Sequence, residues 1–416
     1  MSALLRLAWA SLANRRFTVA VTVATIALSV LLLLGVERLR NEARSSFLRT
    51  VSGTDLIVGA RAHPVQLLLY SVFHLGDATN NVGWNSVQRL AARDDVAWAV
   101  PISLGDSHRG YRVVGTTSDY FKHLQTADRP LNFAQGAAFE GLYDAVLGAD
   151  VAAKLGYALG DSLVLAHGTA ALNPHQHDDR PFKVAGILER TGTPMDQSVF
   201  VSLQAIQAIH LNWRSGTRIG NAPAEPSDTQ LQPTSVTAVF VGLRSRMATF
   251  TVQRAVNEDR HEPMTAIMPG VALQQLWSML GMVERALQLT AACVVLAGLL
   301  GMLAALLGTL SERRREMAIL RALGAGPTTV FGLLLMESVL LTVWGVLMGL
   351  LLLYVLTAAL MPFVLQATGI ALDLGWPAAS EWHLMLWVLL AGVLVGAVPA
   401  TMAYRRSLAD GMMVKQ

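Results

Sequence analysis

The chain has 416 residues, of which 53% are hydrophobic and 15% are charged, and its formal net charge is +3. A soluble protein usually carries about 25% charged residues, so this composition indicates a membrane protein. A nucleic-acid-binding protein usually has a strongly basic surface, and the net charge of this chain is small. Its basic residues also cluster beside the apolar segments. We therefore exclude nucleic acid as a partner.

Four apolar segments are long enough to cross a bilayer, which requires about 20 residues at a rise of about 1.5 Å each. The first is longer than the apolar region of a signal peptide, about 7–15 residues, so we interpret it as a retained anchor. Leucines at helical spacing precede it and favour an interfacial helix, with a plain cytoplasmic tail as the alternative. The predicted segments are an interfacial helix at 1–16, spans at 17–36, 286–310, 328–356 and 384–404, and a cytoplasmic tail at 405–416.

The positions of arginine and lysine predict the orientation, because these residues are enriched in the cytoplasmic flanks of spans. Basic residues lie before the first span, between the second and the third, and after the fourth, whereas 366–383 contains none. Both termini and the segment 311–325 are therefore predicted to be cytoplasmic. The long segment 37–285 and the loop 357–383 then lie on the outer side.

The outer segment 37–285 is long enough for one or two domains. The only cysteine, Cys293, lies in the second span, so no disulfide can form within this domain. Apolar and β-branched runs predict strands, and segments such as 144–156 and 247–259 predict helices between them, which is typical of an α+β fold. The predicted strands are 55–60, 96–104, 111–117, 162–167, 182–188, 198–203 and 235–243.

The architecture follows from these segments. The outer domain is expected to contain an inserted subdomain at about 118–234. Its two ends, 36–51 and 270–287, are predicted to be stalk helices that continue the first and second spans. The predicted fold class is therefore an α-helical membrane protein with four transmembrane helices and a large α+β periplasmic domain inserted between helices 1 and 2.

Signals for catalysis are weak in this sequence. It contains no G-x-S-x-G motif, and none of its four lysines follows a glycine, so it has no P-loop for ATP. We therefore do not expect an enzyme.

The stretch HGTAALNPHQHDD contains residues with metal-ligand chemistry. Imidazole and carboxylate groups on a short segment can bind zinc or another divalent ion. A polar loop with Asn-Pro between strands is, on the other hand, commonly just solvated. Both interpretations stay open, and the candidate ligands are His167, His175, His177, Asp178 and Asp179.

The stretch SERRREMAILRALGA, 311–325, lies between the second and third spans and is rich in good helix formers. A topology signal needs only arginines, whereas this stretch also has acids and an apolar stripe at three-residue spacing. Such a pattern suits docking into a groove on a partner protein. The candidate coupling residues are Glu312, Arg313, Arg314, Arg315, Glu316, Met317, Ile319, Leu320, Arg321, Leu323 and Gly324.

The third span contains one acid, which is costly in lipid and often functional. We favour a structural role for it at a helix interface, with proton or substrate handling and simple interfacial exposure as alternatives. Glycine pairs four residues apart in the third and fourth spans are typical of closely packed helices. The predicted packing residues are Gly345, Gly349, Gly392, Gly396 and Glu337.

The stretch 311–325, the acid in the next span and the small-xxx-small spacing resemble the MacB-type ABC transporter permease family, which includes MacB, LolC, LolE and FtsX. The stretches AVLGADVAAKLGYALGDSLVL and FKVAGILERTGTPMDQSVFVSL are similar to parts of that family's periplasmic core domain. The resemblance covers nearly the whole chain. The sequence departs from MacB in having no fused ATPase domain.

The resemblance implies a permease of the bacterial inner membrane that works as a homodimer or heterodimer, bound to two separate ABC ATPase subunits. The segment 311–325 would be the helix that fits a groove on the ATPase. ATP and Mg²⁺ would be held by the ATPase and no cofactor by this chain. Movement would pass to the periplasmic domain by mechanotransmission, for export or extraction of a substrate, with membrane lipid and a periplasmic protein as further partners.

Two alternatives remain on the sequence alone. One is an FtsX-like device that signals to a periplasmic partner. The other is a zinc-related membrane module whose histidine-rich loop is its main purpose.

Overall fold

A computed structural model of the chain describes residues 3–50, 53–126, 129–167, 180–211, 213–214, 217–218, 227, 229–312, 319, 322, 324–368 and 374–412. The chain forms two compact units. The bundle unit consists of Met1–Glu42, Gly281–Val364 and Leu372–Gln416, and the α/β unit consists of Ala43–Leu280 and Leu365–Ala371.

The helices range from single turns to segments that exceed the thickness of a membrane. Among the described residues they are α1 Ala3–Ala13, α2 Arg16–Thr50, α3 Pro64–Val72, α4 Trp84–Ala91, α5 Asp119–His123, α6 Ala149–Leu155, α7 Leu203–His210, α8 Thr249–Asn257, α9 Pro269–Glu312, α10 Pro327–Thr368 and α11 Ala379–Met412, with 3₁₀ turns at Pro194–Gln197 and Arg246–Ala248.

The strands all belong to the α/β unit. Within the described part of the chain they are β1 Leu56–Ala60, β2 Val82–Gly83, β3 Val96–His108, β4 Tyr111–Thr116, β5 Gln125–Thr126, β6 Arg129–Pro130, β7 Phe133–Gly136, β8 Asp144–Leu147, β9 Ser162–Leu163, β10 Ala166–His167, β11 Phe182–Leu188, β12 Ser198–Ser202, β13 Trp213–Arg214, β14 Thr217–Arg218, β15 Ser235–Val236, β16 Ala238–Leu243 and β17 Met264–Ile267. Six of the seven predicted strand segments contain at least one of these strands, and the seventh, 96–104, covers the first part of β3.

One mixed sheet organises the α/β unit, in the order β17-β1-β16-β3-β4-β12-β8-β11-β7, with β10 on β3 and β9 on β11. The pairs β4–β12 and β8–β11 are parallel, and the other neighbours are antiparallel. The 13-residue strand β3 joins the two halves, because its first part pairs with β16 and its second part with β4.

Both faces of this sheet are covered. In β1, Ile57 belongs to one buried cluster with Phe200 and Phe240, whereas Leu56 and Val58 belong to another. Successive side chains of a strand point to opposite faces, so a run of apolar residues without alternation is the pattern of a strand buried on both sides. This explains why β1 is apolar along its whole length and why β12 is apolar between its terminal serines.

The segment 118–234, predicted as an inserted subdomain, contributes strands to the mixed sheet and also forms two separate two-stranded sheets, β5–β6 and β13–β14. Its strands β7, β8, β11 and β12 extend the main sheet, because β12 pairs with β4 from Ser198 against Arg112 to Ser202 against Thr116. The backbone groups of β4 require partners on both edges, and β12 supplies them on one. The predicted separation into core and insertion is therefore not visible in the strand pairing.

The helix predicted over 144–156 is wrong in its first part. Residues Asp144–Leu147 form β8, and the helix starts at Ala149. The four residues lie between β11 and β12 and bond to both strands, and this pairing outweighs their local helix propensity.

The bundle unit contains four helices long and apolar enough to cross a membrane, with candidate spans at Arg16–Glu42, Pro269–Gly308, Pro327–Met361 and Ala379–Arg405. This number, with the α/β unit between the first and second spans, confirms the predicted fold class. The helices α10 and α11 continue to Thr368 and Met412, beyond the predicted spans 328–356 and 384–404. A helix can continue past the bilayer, so the bounds of these spans stay predictions. Alanine, leucine and methionine are good helix formers and are frequent beyond both predicted ends.

Candidate functional site

The segment 311–325 connects α9 to α10, and the structure describes only part of it. The helix α9 ends at Glu312, Ile319 is 54% exposed, and Gly324 has a φ of 93°, a left-handed conformation that suits the end of a helix. Pro327 then begins α10, as proline commonly does at a first helical position. Eight of the predicted coupling residues lie outside the described residues: Arg313, Arg314, Arg315, Glu316, Met317, Leu320, Arg321 and Leu323.

The glycines of α10 lie where α2 approaches most closely. A Cβ atom at Gly345 would overlap the Ile26 side chain, and one at Gly349 would lie 2.8 Å from the carbonyl oxygen of Ala27. Real Cβ atoms do not come that close to backbone atoms. Small residues therefore permit this contact, as they do between membrane helices in general.

The glycines of α11 face α10 in the same way. A Cβ atom at Gly392 would overlap Thr342, and one at Gly396 would overlap Ser338. Both hydroxyl groups donate to backbone carbonyls of their own helix, Ser338 to Leu335 and Thr342 to Ser338, each at 2.8 Å. The polar side chains of α10 are thus satisfied within the helix while α11 packs directly on them.

The acid in α10 is buried. Glu337 is 1% exposed, which excludes simple interfacial exposure, one of the three interpretations of this residue. It lines a cavity of about 30 Å³ together with Arg15, Thr22 and residues of α9. A site of this size holds about one water molecule. The location at a junction of α2, α9 and α10 agrees with the favoured interpretation, a structural role at a helix interface.

A second, partly buried polar cluster joins α2 to α9 and α11, and sequence analysis did not predict it. We call it the charge network; its members are Glu37, Arg38, Arg40, Glu284 and Glu381. Arg40 donates to Glu284 at 2.6 Å and to Glu37 at 2.7 Å, while the Nε atom of Arg38 lies 3.9 Å from a carboxylate oxygen of Glu381.

Arg38 makes two further contacts. Its Nη2 atom donates to the carbonyl oxygen of Gly375 at 2.8 Å, and the Tyr354 hydroxyl donates to the same oxygen at 2.8 Å. Its guanidinium carbon lies 4.8 Å from the centroid of the Tyr354 ring, a favourable cation–π contact. Glu381 lies in the first turn of α11, where the helix dipole favours a negative charge. Arg38 therefore connects α2 with Tyr354 of α10, with Gly375 before α11 and with Glu381 of α11.

A signal for this network was present in the sequence. Glu37 and Arg38 directly follow an apolar run, and Glu381 directly precedes another, so three ionisable residues lie at the ends of spans. Arg38 and Glu381 are far apart along the chain, so the sequence alone does not indicate that they pair.

Comparison with protein families decides the identity. Residues 19–258 match the MacB-like periplasmic core domain, and residues 289–408 match the FtsX-like permease C-terminal domain. The first match alone covers more than half of the chain. The chain belongs to the MacB/FtsX-type ABC transporter permease family.

Solved structures similar to part of this permease have low identity to it. The periplasmic region of MacB from Actinobacillus actinomycetemcomitans is 11% identical with a TM-score of 0.33, over 54% of this chain and 92% of that one. The extracellular domain of the noncanonic ABC-type transporter YknZ from Gram-positive bacteria is 13% identical with a TM-score of 0.31, over 51% of this chain and 99% of that one. No curated protein sequence matches the permease.

Neither family match is an ATPase domain, and the segment 311–325 of the permease lies within the FtsX-like match. The histidine-rich stretch lies within the MacB-like match. Of its candidate ligands, His167 ends β10, and its backbone pairs with Asp106 of β3. The other four, His175, His177, Asp178 and Asp179, lie outside the described residues. Among the residues that are described, no group of three or more His, Cys, Asp or Glu side chains is arranged to hold a metal.

The α/β unit of the permease contains two hydrogen-bonded pairs in which the pKa of a histidine is shifted. Burial alone would lower the pKa of His210, but its hydrogen bond to Asp106 and the charge of that group raise it above the usual value. Burial, with a contribution from the charge of Arg112, lowers the pKa of His74 to about 4. Because the Ser198 hydroxyl donates to the carbonyl oxygen of Pro194 at 3.0 Å, its oxygen accepts from Nδ1 of His74, also at 3.0 Å.

Proposed function

We propose that the chain is the permease subunit of an inner-membrane ABC transporter, bound to two copies of a separate ATPase subunit and to a second permease subunit. Both termini and the segment 311–325 lie in the cytoplasm, and the α/β unit lies in the periplasm. ATP and Mg²⁺ are held by the ATPase. The segment 311–325 docks on the ATPase, and nucleotide-driven movement of that subunit changes the conformation of the α/β unit.

The observation that carries this proposal is the length of two helices. The helices α2 and α9 have 35 and 44 residues, which correspond to about 53 and 66 Å, against about 30 Å for the hydrocarbon core. Each is one uninterrupted helix whose residues belong to the bundle unit at one end and to the α/β unit at the other. Because α9 also ends at Glu312, it joins the coupling segment directly to the α/β unit.

The family membership and the distribution of charged residues support a cytoplasmic location for the segment 311–325. Arginines lie in this segment and beside both termini, as expected for the cytoplasmic flanks of spans. The acids and the apolar stripe of 311–325 suit a groove on a protein better than a lipid surface.

The test uses the permease together with the ATPase that co-purifies with it, reconstituted in lipid nanodiscs. Substitution Leu320→Asp changes the apolar stripe. Substitution Ala322→Asp places the same charge two residues away, about 200° around the helix, on its opposite side; Ala322 is exposed. We expect Leu320→Asp to release the ATPase and abolish permease-dependent ATP hydrolysis, whereas Ala322→Asp retains both. Equal loss in both variants, or hydrolysis of ATP by the permease without a companion chain, contradicts the proposal.

The FtsX-like match over residues 289–408 also suits a device that signals to a periplasmic partner. The two outcomes differ in what the α/β unit binds. Transport predicts a substrate whose addition changes the ATPase rate of the nanodisc complex. Signalling predicts a periplasmic protein that co-purifies in stoichiometric amount and changes that rate on its own. The experiment above supports coupling in either case.

A further inference from the structure

A cavity of about 340 Å³ lies in the bundle unit between α1, α2 and α10. Its volume falls in the range of about 300–1,000 Å³ that is usual for small-molecule sites. Eight of its nine lining residues are apolar, among them Leu12, Ala20 and Leu341. An apolar cavity on the side of a membrane-spanning bundle is exposed to acyl chains, because lipid is the solvent there.

The ninth lining residue is Arg16, which is the first residue of α2 and of its candidate membrane span. The start of a span lies near the level of the lipid headgroups. Arginine presents a planar set of donors that matches the oxygens of a phosphate group. The cavity therefore combines an apolar wall with a single cation at headgroup depth.

Two tryptophans belong to the apolar wall of the cavity. The rings of Trp9 in α1 and Trp344 in α10 lie 6.0 Å apart between centroids and line the cavity. Trp344 lies in the middle of the candidate span Pro327–Met361. The apolar wall therefore extends from Arg16 into the region of the acyl chains.

We propose that this cavity binds one anionic phospholipid, with an acyl chain along the apolar wall and its phosphate on the guanidinium of Arg16. Charge complementarity selects the lipid, because basic pockets between membrane helices bind anionic headgroups. The bound lipid ties α1 to α10, the helix that follows the coupling segment. This inference needs the bilayer but does not depend on the ATPase.

The test measures lipid retention by native mass spectrometry. The full-length permease is purified in detergent, depleted of lipid and incubated with equal amounts of phosphatidylglycerol and phosphatidylethanolamine. We expect one retained phosphatidylglycerol, with a preference of about tenfold or more over phosphatidylethanolamine. Both lipids carry a phosphate, but the ammonium group of phosphatidylethanolamine neutralises its headgroup and competes with Arg16, whereas phosphatidylglycerol has a net negative charge. Excess inorganic phosphate should not displace it, because phosphate lacks the acyl chain.

Two matched pairs of variants locate the site. Arg16→Gln should remove the headgroup preference, whereas Arg6→Gln, which makes the same charge change in α1 outside the cavity lining, should keep it. Ala20→Trp fills the cavity and should reduce retention, whereas the exposed neighbour Val21→Trp should not. If Ala20→Trp does not fold, Arg16→Gln still decides the question, because it leaves the apolar wall intact.

Three results would overturn the inference. The first is equal retention of the two lipids by the unsubstituted permease. The second is equal loss in Arg6→Gln and Arg16→Gln. The third is a second copy of the chain retained in place of lipid, with no bound phospholipid in the spectrum.

Discussion

The Nε atom of Arg38 lies 3.9 Å from a carboxylate oxygen of Glu381, and the two side chains are 9% and 3% exposed. They come from the end of the α2 span and the beginning of the α11 span. Among the described residues, Nη1 of Arg38 and Oε2 of Glu381 have no hydrogen-bond partner. The pair is therefore desolvated, incompletely satisfied and sensitive to the loss of either member.

The first prediction concerns this pair. Arg38→Met should destabilise the permease by about 3–5 kcal/mol, because it leaves the carboxylate of Glu381 buried without its counter-charge. Thermal unfolding in detergent, monitored by tryptophan fluorescence, measures the loss. Arg44→Met is the control: Arg44 lies on the same helix and is exposed, so its removal should change stability by no more than about 0.5 kcal/mol.

A double variant separates loss of the pair from loss of packing. Arg38→Met with Glu381→Gln removes both charges and should recover much of the stability, since an uncharged pair of similar volume avoids the desolvation cost. If the double variant is less stable than Arg38→Met alone, burial of the unpaired acid is not the cause.

The second prediction concerns helix contact. Gly349→Ala should destabilise the bundle by about 1–3 kcal/mol, because the new methyl group meets the backbone oxygen of Ala27 at 2.8 Å and a backbone atom cannot move aside cheaply. Gly301→Ala in α9 has nothing within 4 Å of the new atom, so it should be neutral or slightly stabilising. The same thermal measurement compares the two, and equal melting temperatures would argue against a close contact of α2 with α10.

The third prediction concerns pH. The pKa of His74 is lowered to about 4 in the folded chain, against about 6.5 when unfolded. Below pH 6.5 the unfolded chain binds a proton that the folded chain does not. Stability is therefore complete above about pH 6.5 and falls as the pH drops towards 4, by up to about 3 kcal/mol.

Substitution of His74 tests this dependence directly. His74 has a φ of 54°, which asparagine tolerates better than most residues, so His74→Asn preserves the backbone. It should flatten the loss of stability between pH 6.5 and 4 in urea unfolding followed by fluorescence. The exposed neighbour substitution Leu75→Asn introduces the same side chain and should leave the pH profile unchanged. An unaltered profile in His74→Asn assigns the dependence to other groups.

Much of the fold follows from local patterns. Uninterrupted apolar runs predict the four spans. Apolar and β-branched runs predict seven strand segments, and each of these overlaps a strand of the mixed sheet. The helices α10 and α11 continue beyond the predicted spans, because good helix formers follow the apolar residues. Local propensity predicts a helix at 144–147, but these residues form a strand. The strands β11 and β12 that pair with them lie far along the chain, so a local pattern does not indicate the pairing.

The sequence by itself determined the class of this protein, since span length and strand pattern depend on residues close together along the chain. Only the tertiary structure decided which ionisable groups are buried and what faces them. Arg38 bonds to Gly375 across 337 positions of sequence, and Arg16 lies beside the rings of α1 and α10 only because three helices meet there. The free energy of a charged group depends on its solvation and its neighbours, and packing alone brings those neighbours together.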